Sequence, residues 1–197
     1  MRIISGVWRG HPLADPGRGD AHARLRPTSD RVRESIFNLL MSGHHGDPIS
    51  GARVLDLFAG TGALGLEALS RGAAHVMFVD SGRAARALIL RNLERLRAGA
   101  QASVISRDAT RLGRCATEPS TLVFLDPPYG RDLGARALAA AVHGGWIADN
   151  ALVVWEDDAP QDAPQGFREI TQRRHGGTWV TILRVAATGA EAPGPTG

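Results

Sequence analysis

Short apolar stretches alternate with helical patterns through the middle of this chain. Stretches of four or five apolar residues are typical of buried strands, and apolar positions at spacings of three and four are typical of helices. The pattern predicts strands over residues 54–58, 75–79, 102–106, 122–125 and 152–155, with helices over 64–70, 83–97 and 133–142. This alternation indicates an α/β fold, a Rossmann-like, mostly parallel twisted sheet with helices on both faces.

The two ends of the chain follow different patterns. Residues 167–171 and 179–185 are consecutive strand-like segments, and the Gly-containing stretch 173–177 between them predicts an antiparallel hairpin. Before the sheet, capping residues at 27–30 precede apolar positions at helical spacing. We therefore divide the chain into an N-terminal Arg-rich arm and helix (1–45), a sheet domain (46–186) and a flexible tail (187–197).

Charge is unevenly distributed. The net charge is only +3, and all 23 basic residues are arginine. Residues 1–33 hold seven arginines against three aspartates, a local excess of four positive charges. Because arginine makes bidentate contacts with phosphate and stacks on bases, this segment predicts a polyanionic partner.

Several classes of protein are disfavoured. Cys115 is the single cysteine, which leaves no disulfide framework and no thiolate metal site, and the scattered histidines predict no metal. No apolar run approaches the roughly 20 residues that cross a bilayer, and the first residues do not resemble a signal peptide. We expect a cytoplasmic protein.

A glycine-rich loop follows the first predicted strand. Gly60, Gly62 and Gly65 form a G-x-G-x-x-G pattern that opens a helix, which allows a ligand to approach backbone N–H groups closely. Dinucleotide enzymes share this pattern. Asp56, inside the apolar strand, favours a cationic ligand instead, because a buried carboxylate needs donors or a positive charge. S-adenosylmethionine carries an α-ammonium group that meets this need, although Asp56 could alternatively accept nearby backbone N–H groups.

Acidic residues follow the next two strands. Asp80 ends the second strand, 20 residues after Gly60, where a carboxylate can accept ribose hydroxyls. Asp108 follows the third strand and could accept an adenine amino group, or be an ordinary loop residue. The candidate cofactor site comprises Asp56, Phe58, Gly60, Gly62, Asp80, Ser81, Asp108 and Ala109.

The tetrapeptide Asp126-Pro127-Pro128-Tyr129 ends the fourth strand. An exocyclic amine of a nucleobase is a poor nucleophile because its lone pair is delocalised into the ring. Asp126 and the Pro127 carbonyl can accept its N–H groups, and the prolines fix the backbone that presents them. Tyr129 offers a face for stacking on the base. We predict that these four residues are catalytic, and that they present the amine to the methyl donor.

Together these motifs resemble a known family. Residues 56–67 with Asp126–Tyr129 are similar to amino-methyltransferases, and residues 2–10 and 26–34 more narrowly resemble the RsmD family of bacterial 16S rRNA guanine-N2 methyltransferases. The resemblance covers about residues 1–185. It implies S-adenosylmethionine as donor and a guanine of 16S rRNA as target, within an assembled or partly assembled small subunit. The residues that it implies for RNA contact are Arg9, Arg26, Thr28, Asp30, Arg31 and Arg33.

Other functions remain open from the residues alone. A DNA adenine or cytosine amino-methyltransferase uses the same tetrapeptide, but usually carries a sizeable recognition domain for which 197 residues leave no room. An inactive RNA-binding module of the same fold would not need the intact motifs. A dinucleotide oxidoreductase would leave Asp126-Pro127-Pro128 unexplained.

Overall fold

The computed structural model describes residues 1–14, 29–42, 46–129 and 132–186. The described residues form seven strands: β1 Arg53–Leu57, β2 His75–Val79, β3 Ala102–Ile105, β4 Ser120–Leu125, β5 Ile147–Asp157, β6 Phe167–His175 and β7 Thr178–Val185. Their helices are α1 Asp30–Ser42, α2 Ala63–Ser70, α3 Arg83–Leu96 and α4 Leu133–His143, with two short 3₁₀ turns before and after β3. None of these helices is both long and apolar enough to cross a membrane.

All seven strands belong to one sheet in the order β3-β2-β1-β4-β5-β7-β6. Strands β1 to β5 are parallel, and β7 pairs antiparallel with both β5 and β6. The α/β fold with an antiparallel C-terminal hairpin is therefore confirmed. The chain moves from β1 outward to β3, then returns to place β4 on the other side of β1. This reversal creates the crevice at which open α/β sheets bind ligands.

The N-terminal residues share the core of the sheet domain. Ile3, Leu13, Phe37 and Leu40 are all at most 5% exposed and pack in the same cluster as the strands. The rings of Phe37 and Phe124 lie 5.7 Å apart, which joins α1 directly to β4. The predicted boundary near residue 45 therefore does not separate two hydrophobic cores.

The C-terminal strands are longer than the sequence predicts. Strand β5 begins at Ile147 rather than residue 152, and β6 continues to His175, which leaves only Gly176 and Gly177 as the turn. The added residues of β6 are polar because β6 is the sheet edge, where charged side chains face solvent without loss of pairing. The polar residues 173–175 predict a loop, whereas they form the end of an exposed edge strand.

Candidate active site

The loop after β1 depends on backbone conformations that favour glycine. Gly60 and Gly62 have φ values of 54° and 77°, and Phe58 adopts a φ of 58°, which is uncommon for a non-glycine residue. Gly62 caps the N-terminus of α2 without any side-chain hydrogen bond. The first turn of α2 therefore directs its N–H groups toward the carboxyl edge of the sheet.

Gly65 allows α2 to lie directly on the sheet. A Cβ atom at Gly65 would stand 2.4 Å from Phe78 Cε1 and 2.9 Å from Asp56 Oδ2. The Gly65 N–H donates to Asp56 Oδ2 at 3.0 Å. The third glycine of the motif is thus required for helix–strand packing and for this hydrogen bond.

Asp56 is a buried carboxylate among other carboxylates. It is 2% exposed. Burial raises its pKa well above the usual range, the Gly65 hydrogen bond opposes that rise, and the charges of Asp126 and Asp80 add to it. A cationic group bound here would offset the repulsion. The buried carboxylate of Asp56 therefore fits the α-ammonium group of S-adenosylmethionine. The alternative partner, a backbone N–H group, is also present and belongs to Gly65.

Asp80 fixes the glycine loop to the end of β2. Its Oδ2 accepts the Gly60 N–H at 2.9 Å and its Oδ1 accepts the Gly82 N–H at 2.7 Å. The residue is half-buried and its neighbour Ser81 is exposed. Each carboxylate oxygen has a second lone pair, so these bonds leave capacity for ribose hydroxyls.

Asp108 lies on the surface after β3. Its Oδ1 accepts both the backbone N–H and the hydroxyl of Thr110 at 2.8 Å, and these bonds lower its pKa. Asp108 therefore stabilises the turn that follows it, while the adjacent Ala109 is buried at 3% exposure. A role toward adenine stays a prediction.

The Asp126–Tyr129 tetrapeptide begins beside the glycine loop. Leu57 pairs in register with both Val79 and Leu125, so the residues that follow the three strands meet at one edge. The Asp126 N–H donates to the Leu57 carbonyl at 3.4 Å. Asp126 and Tyr129 are half-buried, Pro127 is buried and Pro128 is exposed. This edge thus brings the predicted catalytic carboxylate close to Asp56 and Asp80.

The residues expected to contact RNA fall into three groups. Arg9 and Arg31 are exposed, and Asp30 is half-buried beside Arg33. Arg26 and Thr28 lie outside the described residues. The expectation for Arg33 is wrong in this conformation: its guanidinium is fully buried and donates to Asp30 Oδ1 at 2.6 Å and to the Arg2 carbonyl at 2.7 Å. A buried guanidinium with these partners cannot reach a phosphate.

Two buried polar residues, one of which contacts the glycine loop, were missed from the sequence. Glu67 accepts the backbone N–H groups of Ile4 and Ser5 at 2.7 and 3.0 Å. Asn92 accepts the Ala14 N–H at 2.6 Å and donates to the Thr61 carbonyl at 3.1 Å. The available signal was a polar residue inside an apolar helical face, which requires a buried partner but does not identify it.

Comparisons with known proteins agree with this architecture. Residues 1–184 match the family described as "Conserved hypothetical protein 95". The chain is 41% identical over 164 residues to ribosomal RNA small subunit methyltransferase D of Escherichia coli K12, covering 83% of this chain and 78% of that protein. The protein of the same name from Haemophilus influenzae is 35% identical over 181 residues, with 89% of each chain covered.

A solved structure is similar over nearly its whole length. The structure described as "Putative methyltransferase yhhF from Escherichia coli" has a TM-score of 0.79 and 34% identity, covering 95% of this chain and 99% of that one.

Proposed function

Because this chain belongs to the RsmD family of ribosomal RNA methyltransferases, we propose that it methylates the N2 amino group of one guanine in 16S rRNA, with S-adenosylmethionine as donor. The observation that carries the proposal is the meeting of Asp56, Asp80 and Asp126 at the ends of adjacent parallel strands. Asp56 is suited to a cation, Asp80 to hydroxyl groups, and Asp126 to an amine.

The donor side of the site is formed by β1 and β2. Asp56 would hold the α-ammonium group, Asp80 the ribose hydroxyls, and the Gly60–Gly62 backbone would lie against the ligand. Asp108, with Ala109 beside it, would meet the adenine. When bound, S-adenosylmethionine supplies an electrophilic methyl group on its sulfonium sulfur. Burial of Asp56 strengthens its attraction to a cation, because the local dielectric is low.

The acceptor side is formed by the end of β4. The Asp126 carboxylate and the Pro127 carbonyl accept hydrogen bonds from the two N–H groups of the guanine amine, which favours a pyramidal nitrogen with an available lone pair. Positive charge develops on that nitrogen during transfer, and Asp126 stabilises it. Tyr129 stacks on the base, a contact worth about 1–3 kcal/mol in comparable proteins.

The RNA is held outside the site by exposed arginines. Arg9 and Arg31 are accessible for phosphate contacts, and Asp30 orients the start of α1 through Arg33. The partner we propose is 16S rRNA within an assembled or partly assembled small subunit. Each arginine–phosphate contact releases condensed counterions, so binding should weaken steeply with salt.

Substrate class is tested by label transfer. The protein is incubated with methyl-labelled S-adenosylmethionine and one of three acceptors: small subunits lacking the modification, naked 16S rRNA, or duplex DNA. We expect label in the small subunits or the rRNA. Label confined to DNA would contradict the proposal and favour a DNA amino-methyltransferase.

The role of Asp126 is tested by substitution. Asp126→Ala should lower transfer by roughly 10²–10³-fold or more, because a preorganised partner of the reacting group is lost. Affinity for S-adenosylmethionine, measured by calorimetry, should be nearly unchanged. Glu118→Ala, at an exposed glutamate just before β4 and so at the opposite edge of the sheet, is the matched control and should keep full activity. Loss of donor binding in Asp126→Ala would mean that the residue is misassigned.

A further inference from the structure

Helix α3 carries a second concentration of positive charge. Five arginines stand in residues 83–97 against the single acid Glu94, an excess of four charges. Residues 1–33 have the same excess, whereas the whole chain has a net charge of only +3, so the remaining residues sum to −5. Helix α3 is therefore one of the two segments with the largest positive excess, and we name it the α3 basic face: Arg83, Arg86, Arg91, Arg95 and Arg97.

The α3 basic face is open to solvent. All five of its arginines are exposed. Among the described residues, none of the five takes part in an ion pair; the pairs found there involve other arginines. Their charge is therefore available to an external anion.

Helix stability accounts for Arg95, which lies in the last turn of α3, but not for the arginines at the start of the helix. Arg83 and Arg86 lie in the first turns, where the helix dipole favours acidic residues, and the first turn contains none. Gly82 provides no side-chain cap. Arg91 and Arg95 are four residues apart and repel each other. A helix selected only to fold in solution would be better served by acidic residues in its first turn.

A groove runs along this face beside the edge strand β3. It is an open groove of about 540 Å³, and its lining includes two arginines, Arg86 and Arg97, against the single acid Glu94. Leu90, also in the lining, is 45% exposed. Exposed guanidinium groups along a groove are complementary to the phosphates of a nucleic-acid backbone.

The position of α3 connects this groove to the candidate site. The helix begins at Arg83, three residues after Asp80, and extends for about 20 Å at 1.5 Å per residue. We propose that the α3 basic face binds the phosphate backbone of the rRNA substrate outside the target nucleotide. This proposal rests on the proposed function, since it takes rRNA as the substrate.

The test compares two triple variants of equal charge change. Arg86→Gln/Arg91→Gln/Arg97→Gln removes three charges from the α3 basic face. Arg168→Gln/Arg173→Gln/Arg174→Gln removes three exposed charges from β6, at the opposite edge of the sheet. Binding to unmodified 16S rRNA is measured from 50 to 200 mM salt, without methyl donor, and urea midpoints confirm that both variants fold.

For the α3 variant we expect the slope of log K against log salt to fall by about two to three, at about 0.7–0.9 per lost phosphate contact. Affinity at 100 mM salt should drop by roughly tenfold or more, and KM for RNA should rise while kcat stays unchanged. The β6 variant should keep the wild-type slope.

A wild-type slope in the α3 variant, or an equal loss in both variants, would overturn the proposal. This failure is distinct from failure of the proposed function, in which the wild-type protein itself would not bind or methylate rRNA.

Discussion

At the carboxyl edge of the sheet, the candidate site is built from residues that lie within a few positions of a strand end. The N-terminal segment, residues 1–14, is instead held by side chains far away in sequence. Asp80 reaches back to Gly60 across 20 positions through a single strand–helix unit, whereas Ile4 bonds to Glu67 across 63 positions. The first arrangement follows from local motifs, and the second exists only once the chain has folded.

The N-terminal segment is fixed by buried polar groups as well as by the apolar burial of Ile3 and Leu13. Glu67 is fully buried and also accepts from Arg71 Nε at 2.8 Å. Ser70 Oγ donates to the Ser5 carbonyl at 2.6 Å. Gly6 approaches so closely that a Cβ there would stand 1.8 Å from the Ser70 carbonyl oxygen. The segment is therefore a fitted part of the domain, although its composition suggested a separate arm.

Asn92 joins the two regions. Its amide bonds Ala14 of the N-terminal segment on one side and Thr61 of the glycine loop on the other. The segment predicted to contact RNA and the loop predicted to contact the donor therefore share a buried connection. Substitutions that break the long-range hydrogen bonds should lower the free energy of unfolding. Substitutions at the carboxyl edge of the sheet should instead change methyl transfer or the pH dependence of the free energy of unfolding.

The largest effect is expected from Glu67→Ala. The substitution leaves two backbone N–H groups without a partner and removes negative charge beside Arg71 and Arg33, so the free energy of unfolding should fall by about 3–5 kcal/mol. Urea unfolding measures it. Glu94→Ala, at an exposed glutamate of α3, should change stability by no more than about 0.5 kcal/mol. Equal effects in the two variants would mean that the buried bonds are unimportant.

A smaller loss of stability is expected at Arg33 but not at Arg31, two positions before it. Arg33→Met should lower the free energy of unfolding by about 1.5–3 kcal/mol, because hydrogen bonds to Asp30 and Arg2 are lost. Arg31→Met should leave stability nearly unchanged and lower the salt slope of RNA binding by about one. If Arg33→Met lowered the salt slope while stability stayed constant, Arg33 would be an RNA contact after all.

The smallest effect is on the way the free energy of unfolding depends on pH. Burial raises the pKa of Asp56, so the folded protein keeps a proton that the unfolded chain releases above about pH 4. The free energy of unfolding should therefore decline as pH rises from about 4 through the folded pKa. The Asp56→Asn variant should lack this decline in the free energy of unfolding.

Urea titrations of both proteins between pH 4 and 8, without donor, measure the difference. The stability of wild type relative to Asp56→Asn should fall with increasing pH. A difference that rises with pH would mean that Asp56 is stabilised as a charged group.

The sequence predicted one of the two regions well. The strands with their terminal aspartates and the glycine loop are local patterns, and the periodicity of the flanking helices placed them on a parallel sheet. The family resemblance implies an RNA contact for Arg33, whereas folding buries its guanidinium against Asp30. Glu67 and Asn92 were visible as polar residues in apolar faces, but their partners are set by tertiary contacts that no local pattern encodes.

The identity of the methylated nucleoside tests the central claim most directly. Small subunits lacking the modification are incubated with the protein and S-adenosylmethionine, and the 16S rRNA is digested and analysed by mass spectrometry. The account predicts N2-methylguanosine, absent when Asp126→Ala replaces the wild-type protein. N6-methyladenosine or N4-methylcytosine in its place would contradict the account.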